Sequence, residues 1–366
     1  MKRKTKTRYG LVMFASAMTC LNAGAALAET TLSFADYGPN RGTRAETVQW
    51  FLSEIESRTE GRVKVNQHWG GALLGTRNGF DGVQAGVADI VTISAVYSSH
   101  QELFGYRVGD LPITSKNEIS QTMAMYDLAT TNESIQAQFD NAGVVYLANY
   151  AVGPIQMVCN GADIATFDDL VGKTVSYQTA EYGMIFDDLG VNTTSISTPE
   201  SYQALNTGLV DCAQTYPYTT LSYKMIEVSD QFLVFNLGTI GSNGIFMNGR
   251  TFDRLKPRDQ EIVRDLGREM TERNARAIRK ENLEVLARFP DGIDGNKLDV
   301  VEISDADRAM IEEASQPYIQ AWIDQASNYG LDGKGIVEEY EALIESRADE
   351  ITAVDTTTKR EEREND

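Results

Sequence analysis

Seven tyrosines stand at predicted strand ends or in the loops beyond them: Tyr37, Tyr97, Tyr150, Tyr177, Tyr182, Tyr216 and Tyr218. Each offers an apolar ring with a polar tip, so such a set can cage a cationic amine or stack on an aromatic or sugar ring. Ordinary half-buried strand tyrosines are the simpler reading of any single one. Trp69, just before Gly70-Gly71, is either a wall of the same cleft or a core residue. Asp36, Glu181 and Asp211 are available to pair with a cation, although a turn-capping role also accounts for Asp211. Arg41, Arg44, Arg77 and Arg107 are available for an anion, and Arg77, which follows the Gly-rich loop, is the best placed. A solvated surface role suits any of these arginines equally well.

Covalent or acid–base chemistry has little to work with. His68 and His100 are the only histidines, and neither sits in a nucleophile motif. There is no Gly-x-Ser-x-Gly elbow and no zinc-ligand spacing. The expectation is no catalytic residue, no metal and no cofactor. An exported hydrolase or isomerase would need a carboxylate pair that no motif suggests.

The elements that must position these residues begin after an export signal. Lys2, Arg3, Lys4, Lys6 and Arg8 precede an apolar stretch that ends in Ala26-Leu27-Ala28, which predicts cleavage after Ala28 and a periplasmic or secreted product. The formal charge is −20 and becomes more acidic once that basic segment is removed. Such a body disfavours nucleic acid and anionic membranes and fits a soluble monomer. About 340 residues remain, more than one comfortable core, so two domains are expected.

A short pattern occurs twice. Val83-Gln84-Ala85-Gly86-Val87-Ala88-Asp89-Ile90 is echoed by Leu205-Asn206-Thr207-Gly208-Leu209-Val210-Asp211-Cys212. Each copy reads as a helix end, a glycine turn and a strand start. Thr30–Ala35 and Val63–Gln67 predict strands around a helix over 43–58, and Val144–Tyr150 and Lys173–Tyr177 predict further strands. Strand and helix alternate in the rhythm of a parallel sheet, twice over, which implies a cleft between two α/β units. The alternating run 232–247 is long enough to pass from one domain to the other. The stretch from Pro257 to Phe289, with no proline after its first residue, predicts a helix about 50 Å long, lying across both. The expected boundaries are 29–151 for domain one, with part of 238–250 and the C-terminal region, and 152–237 for domain two, with part of 251–290. The charged tail 359–366 reads as disordered.

Export leaves Cys159 and Cys212 in a disulfide-permissive compartment. Each follows a strand-like run, so adjacent strand ends could bring them together, and two free buried thiols are the alternative.

Several motifs, in order, resemble the solute-binding proteins of tripartite ATP-independent periplasmic (TRAP) transporters. They are Gly82–Asp89, Asp110-Leu111-Pro112, Phe167-Asp168-Asp169-Leu170-Val171-Gly172-Lys173 and Tyr202–Asp211. The resemblance covers nearly the whole chain after the export signal. It implies two α/β domains that close on a small organic solute, usually a carboxylate, and deliver it to a membrane permease. It also implies that Cys159 and Cys212 are bridged, as in one branch of the family. In most members an arginine on the strand after Asp-Leu-x-Gly grips the ligand carboxylate through a bidentate contact. Here that position is Ser176, and a second basic residue found in some members is also missing from the stretch Val152-Gly153-Pro154-Ile155-Gln156. The expected ligand set is Tyr37, Trp69, Arg77, Tyr97, Tyr150, Gln156, Ser176, Tyr177, Gln178, Tyr182, Thr215, Tyr216 and Asn243. A small organic acid is expected from the resemblance. A cationic amine, a polyol or an aromatic solute is the alternative that the tyrosines and Ser176 suggest.

Overall fold

The structure is a computed structural model that describes residues 29–113 and 117–347. The export signal with its cleavage site and the charged tail 359–366 lie outside the described residues. The chain opens with β1 (Thr30–Ala35), α1 (Gly42–Arg58), β2 (Val63–His68), α2 (Gly79–Ala85) and β3 (Ile90–Ser94). Three short 3-10 turns lead to α3 (Glu118–Thr131), α4 (Glu133–Ala142) and β4 (Val144–Asn149). The second unit holds β5 (Pro154–Cys159), β6 (Thr174–Tyr177), α5 (Ala180–Asp188), β7 (Asn192–Ser195), α6 (Thr198–Asn206), β8 (Cys212–Thr215) and α7 (Pro217–Ser222). The chain then passes through β9 (Gln231–Thr239), β10 (Asn243–Asn248), α8 (Gly249–Arg254), α9 (Pro257–Arg288), β11 (Asp299–Glu302), α10 (Asp305–Ala326) and α11 (Gly333–Ser346).

These strands make two sheets, ordered β2-β1-β3-β10-β4 and β11-β9-β5-β8-β6-β7. The alternating rhythm predicts parallel sheets, and the structure corrects this, because both sheets are mixed. Among the described residues β10 runs antiparallel to both its neighbours in the first sheet, as does β5 in the second. Both are strands that have just crossed from the other lobe, so they enter against the local direction. The run 232–247 is the second of these crossings: β9 belongs to one sheet and β10 to the other.

The repeated motif has the same job in each lobe. Gly86 and Gly208 sit at φ 77° and 68°, a left-handed conformation that glycine adopts without a Cβ clash. The aspartate that follows then fastens the next strand. The Asp89 carboxylate accepts from Ser33 N–H at 2.8 Å, and the Asp211 carboxylate accepts from Thr174 N–H at 2.8 Å. The same aspartates donate their own N–H groups to the carbonyls of Ser33 and Thr174. Asp211 therefore ties β6 to the start of β8 rather than facing a ligand.

Helix α9, 32 residues long, spans the two lobes. It packs along α1, α3 and β4, and it also touches α7 of the second lobe. Gly267 permits the contact with β4, since a Cβ there would collide with the Leu147 carbonyl. Its buried polar face holds the crossover between β4 and β5. Thr271 accepts from Asn149 N–H at 2.9 Å, and Asn274 accepts from Ala151 N–H at 2.7 Å. Asn282 donates to the Val152 carbonyl at 3.1 Å and accepts from Tyr218 N–H at 3.0 Å. Backbone that leaves one sheet before joining the next would otherwise be buried without partners. The C-terminal region, expected with domain one, is divided: β11 joins the second sheet, α10 packs on α5, and α11 packs on α3.

Candidate functional site

The loops at the carboxyl ends of β1, β3, β4, β6 and β8 converge on one cavity, as expected for facing α/β sheets. From the first lobe it is lined by Tyr37, Arg44, Ser94, Tyr97 and Tyr150. Gln178, Thr198, Tyr216, Tyr218, Thr219 and Tyr223 come from the second, and Val152, Ile240 and Asn243 come from the crossing segments.

Its floor is an ion pair. Asp36 immediately follows β1, and Arg44 lies in the first turns of α1 after the reversal at Pro39-Asn40. Both terminal nitrogens of Arg44 donate to Asp36, at 2.6 and 3.0 Å, and Gly38 N–H donates to the same carboxylate at 2.6 Å. A side chain on Gly38 would collide with the Arg44 guanidinium. Arg44 also lies 5.9 Å from the Tyr37 ring centroid and 5.6 Å from that of Tyr150, whose hydroxyls share a 2.9 Å hydrogen bond.

The lobes touch across this cavity. Thr198, at the start of α6, donates its N–H to the Tyr97 hydroxyl at 3.2 Å, and the two hydroxyls lie 3.1 Å apart. On the same side Arg41 Nε donates to the Ser222 carbonyl at 2.6 Å. Burial raises the Tyr37, Tyr150, Tyr216 and Tyr223 phenols well above their ordinary value and raises Tyr97 and Tyr218 as well. All six therefore remain neutral hydroxyls in a dry setting. The Tyr216 hydroxyl is buried with no hydrogen-bond partner among the described residues. A group of this kind costs about 1–3 kcal/mol unless something binds it.

Six of the expected ligand residues line the cavity: Tyr37, Tyr97, Tyr150, Gln178, Tyr216 and Asn243. The other seven lie elsewhere. Trp69 packs edge-on against Phe34 at 5.3 Å and donates to the Gln67 side chain. Arg77 is exposed. The Gln156 side-chain Oε1 accepts from the Phe235 and Asn236 N–H groups at 2.6 and 3.0 Å, which repairs the irregular pairing of β5 with β9. Ser176 is buried within β6, and Tyr177 lies against Gly183 of α5. Tyr182 is in the core near Phe186, and the Thr215 hydroxyl pairs with Thr220. Ser94, Val152, Thr198, Thr219, Tyr223 and Ile240 also line the cavity, and no sequence motif marks them. Tyr223 is the residue that follows α7, five positions after Tyr218, so helical periodicity does not put the two on one face.

The cysteines are joined. Cys159 and Cys212 lie opposite each other on β5 and β8 and form a disulfide. Among the described residues no cluster of three or more His, Cys, Asp or Glu could hold a metal, and no helix is long and apolar enough to cross a membrane.

Residues 34–325 match bacterial extracellular solute-binding protein family 7. The chain belongs to this family. Solved structures similar to the chain are TRAP periplasmic solute-binding proteins. A TRAP periplasmic solute-binding protein from Desulfovibrio salexigens is 25% identical with a TM-score of 0.73, and the match covers 87% of this chain and 96% of that one. A second, from Bordetella bronchiseptica with bound (R)- and (S)-mandelate, is 22% identical with a TM-score of 0.75, over 87% and 99% of the two chains. A solute-binding protein of Albidiferax ferrireducens is 22% identical over 301 residues, 80% of this chain and 83% of its own length. The two-domain α/β architecture of the family 7 receptor is thus the one described above.

Behind the cavity the receptor buries a carboxyl. Burial pushes Asp110 up to about 7, against hydrogen bonds from the Ser242 hydroxyl and from its N–H at 3.1 Å. The folded-state value lies above the unfolded one, so the folded chain holds a proton that the unfolded chain has released. The stability this provides is complete below about pH 4 and is lost as pH rises toward 7. In urea unfolding at pH 5 and pH 8, Asp110→Asn should remove roughly 2 kcal/mol of that decline. Parallel profiles for variant and parent would contradict it.

Proposed function

We propose that the mature protein is a periplasmic receptor that closes its two lobes over a small organic solute and passes it to a TRAP membrane permease, without catalysing a reaction. The observation that carries this reading is the buried Tyr216 hydroxyl, unpartnered in a cavity bounded by both lobes. Ligand pockets are concave, ring-lined and furnished with a few oriented polar groups, and they favour domain interfaces. The Tyr97–Thr198 contact gives closure a specific latch, and the crossover held by α9 supplies a hinge. Tyr37, Tyr97, Tyr150, Gln178, Tyr216 and Asn243 are the ligand contacts in this reading. The TRAP periplasmic solute-binding protein from Bordetella bronchiseptica, to which the chain is similar, holds mandelate, a small ring-bearing solute.

The test uses the full chain produced with its own leader and recovered from the periplasm. Intact mass should place the first residue at Glu29. Denaturing the purified protein should release one small solute in a near-stoichiometric amount, unchanged after prolonged incubation. Tyr216→Phe should lower the retained amount in line with an affinity loss of about tenfold, the worth of one buried hydrogen bond. Equal retention by parent and variant would remove Tyr216 from the site, and conversion of the released solute would show an enzyme.

A further inference from the structure

Within the solute site just proposed, on which this inference rests, the charges of the Asp36–Arg44 pair cancel. Arg44 is the one charged side chain among the described residues that line the cavity, and Asp36 already takes a hydrogen bond from each of its terminal nitrogens. The Asp36 side chain is 0% exposed and that of Arg44 is 7% exposed, so both charges lie in one low-dielectric region where their sum is zero. The remaining polar lining is uncharged: tyrosine, serine and threonine hydroxyls and the amides of Gln178 and Asn243. At the rim the opposite lobes again set unlike charges against each other. Glu200 of the second lobe is held below its ordinary value first by Ser197 and in smaller part by Arg77 of the first.

A carboxylate entering this site would bring a buried charge with no counter-charge and would have to share Arg44 with Asp36. Burying an unbalanced ion is costly even when it is hydrogen-bonded. A cation would meet the guanidinium of a pair whose negative member is turned away from the cavity. A solute whose own charges sum to zero avoids both penalties. If uncharged, it finds neutral donors and acceptors. If zwitterionic, it finds tyrosine rings for its cationic end and the remaining Arg44 N–H groups for its anionic end. Ser176, at the position where the family usually carries its carboxylate-binding arginine, adds no positive charge. We infer that the cavity selects solutes of zero net charge and that Asp36 sets this specificity by cancelling Arg44.

Matched probes test it by calorimetry on the processed protein after removal of any retained solute. Mandelate is compared with uncharged mandelamide, and choline with zwitterionic glycine betaine. In any pair that binds, the net-neutral member should bind at least about tenfold more tightly, and Asp36→Asn should shift the mandelate-to-mandelamide ratio at least about tenfold toward the acid. The comparison in the parent protein decides the matter alone if the variant does not fold. Tighter binding of mandelate or choline would overturn the inference and leave the receptor reading intact. If neither pair binds, the net charge at pH 7 of the solute released on denaturation decides: zero supports the inference, and any other value overturns it. If nothing binds and nothing is released, the receptor reading fails and this inference fails with it.

Discussion

Asp36→Ala is expected to cost about 3–5 kcal/mol of unfolding free energy, the usual result of removing one partner from a buried ion pair. Most of that cost is not a lost attraction. It comes from the guanidinium of Arg44, which is left charged in the cavity floor with two of its donors unpartnered and tyrosine rings on either side. Arginine cannot shed its proton to escape, as a lysine could. Gly38 N–H also loses its acceptor. Replacing both members removes the stranded charge. Asp36→Ala with Arg44→Leu should therefore be less destabilised than Asp36→Ala alone. Urea unfolding of the parent, both single variants and the double variant closes the cycle. A single variant within 1 kcal/mol of the parent, or a double variant worse than Asp36→Ala, would show that solvent reaches Arg44 freely.

The tyrosine side of the cavity was legible in the sequence because the chemistry and the placement agree. Tyr37, Tyr97, Tyr150 and Tyr216 each fall just past a strand whose carboxyl end faces the other lobe, and a strand end is readable from a short apolar run. Tyr177 and Tyr182 have the same residue type one element away. Strand alternation turns Tyr177 toward α5, and helix phase turns Tyr182 into the core. Neither direction is fixed until the packing partner is known. Arg44 was visible only as one of four arginines. Its partner lies eight positions back across a chain reversal, in a different element, so no helical or strand period links the two and only the fold brings them together. The reversed strands β5 and β10 were hidden for a related reason. Local pattern shows that a segment is a strand, whereas its direction comes from the lobe it has just left.

That crossing also explains the doubled motif. Asp89 and Asp211 fasten equivalent strands in the two lobes, and each lobe receives one reversed strand from the other, so neither sheet is complete without its neighbour's chain. The crossing segments carry Val152, Ile240 and Asn243 into the cavity wall. Motion of the lobes about the crossover would thus move the cavity wall itself, and the buried Asn274 and Asn282 contacts of α9 limit where the backbone can bend.

Reducing the disulfide should have an effect of similar size to the loss of Asp36 but through the unfolded state. The bridge closes a loop of 53 positions, which the chain-entropy treatment values at about 4 kcal/mol. In the folded state little is expected to change. The two residues are already opposite each other on paired strands, both are 0% exposed, and backbone hydrogen bonds hold β5 to β8 on either side. Two thiols fit such a site as small apolar groups. Cys159→Ala with Cys212→Ala should therefore leave solute retention near the parent level while lowering the melting temperature on the order of 10 °C. Mass spectrometry of periplasmic protein before and after reduction checks that the bridge is present. A melting temperature within 2 °C of the parent would mean that the unfolded second lobe is already constrained near Cys159 and Cys212 without the bond. Loss of solute retention at unchanged stability would instead give the bridge a role in setting the strand ends that carry Gln178 and Tyr216.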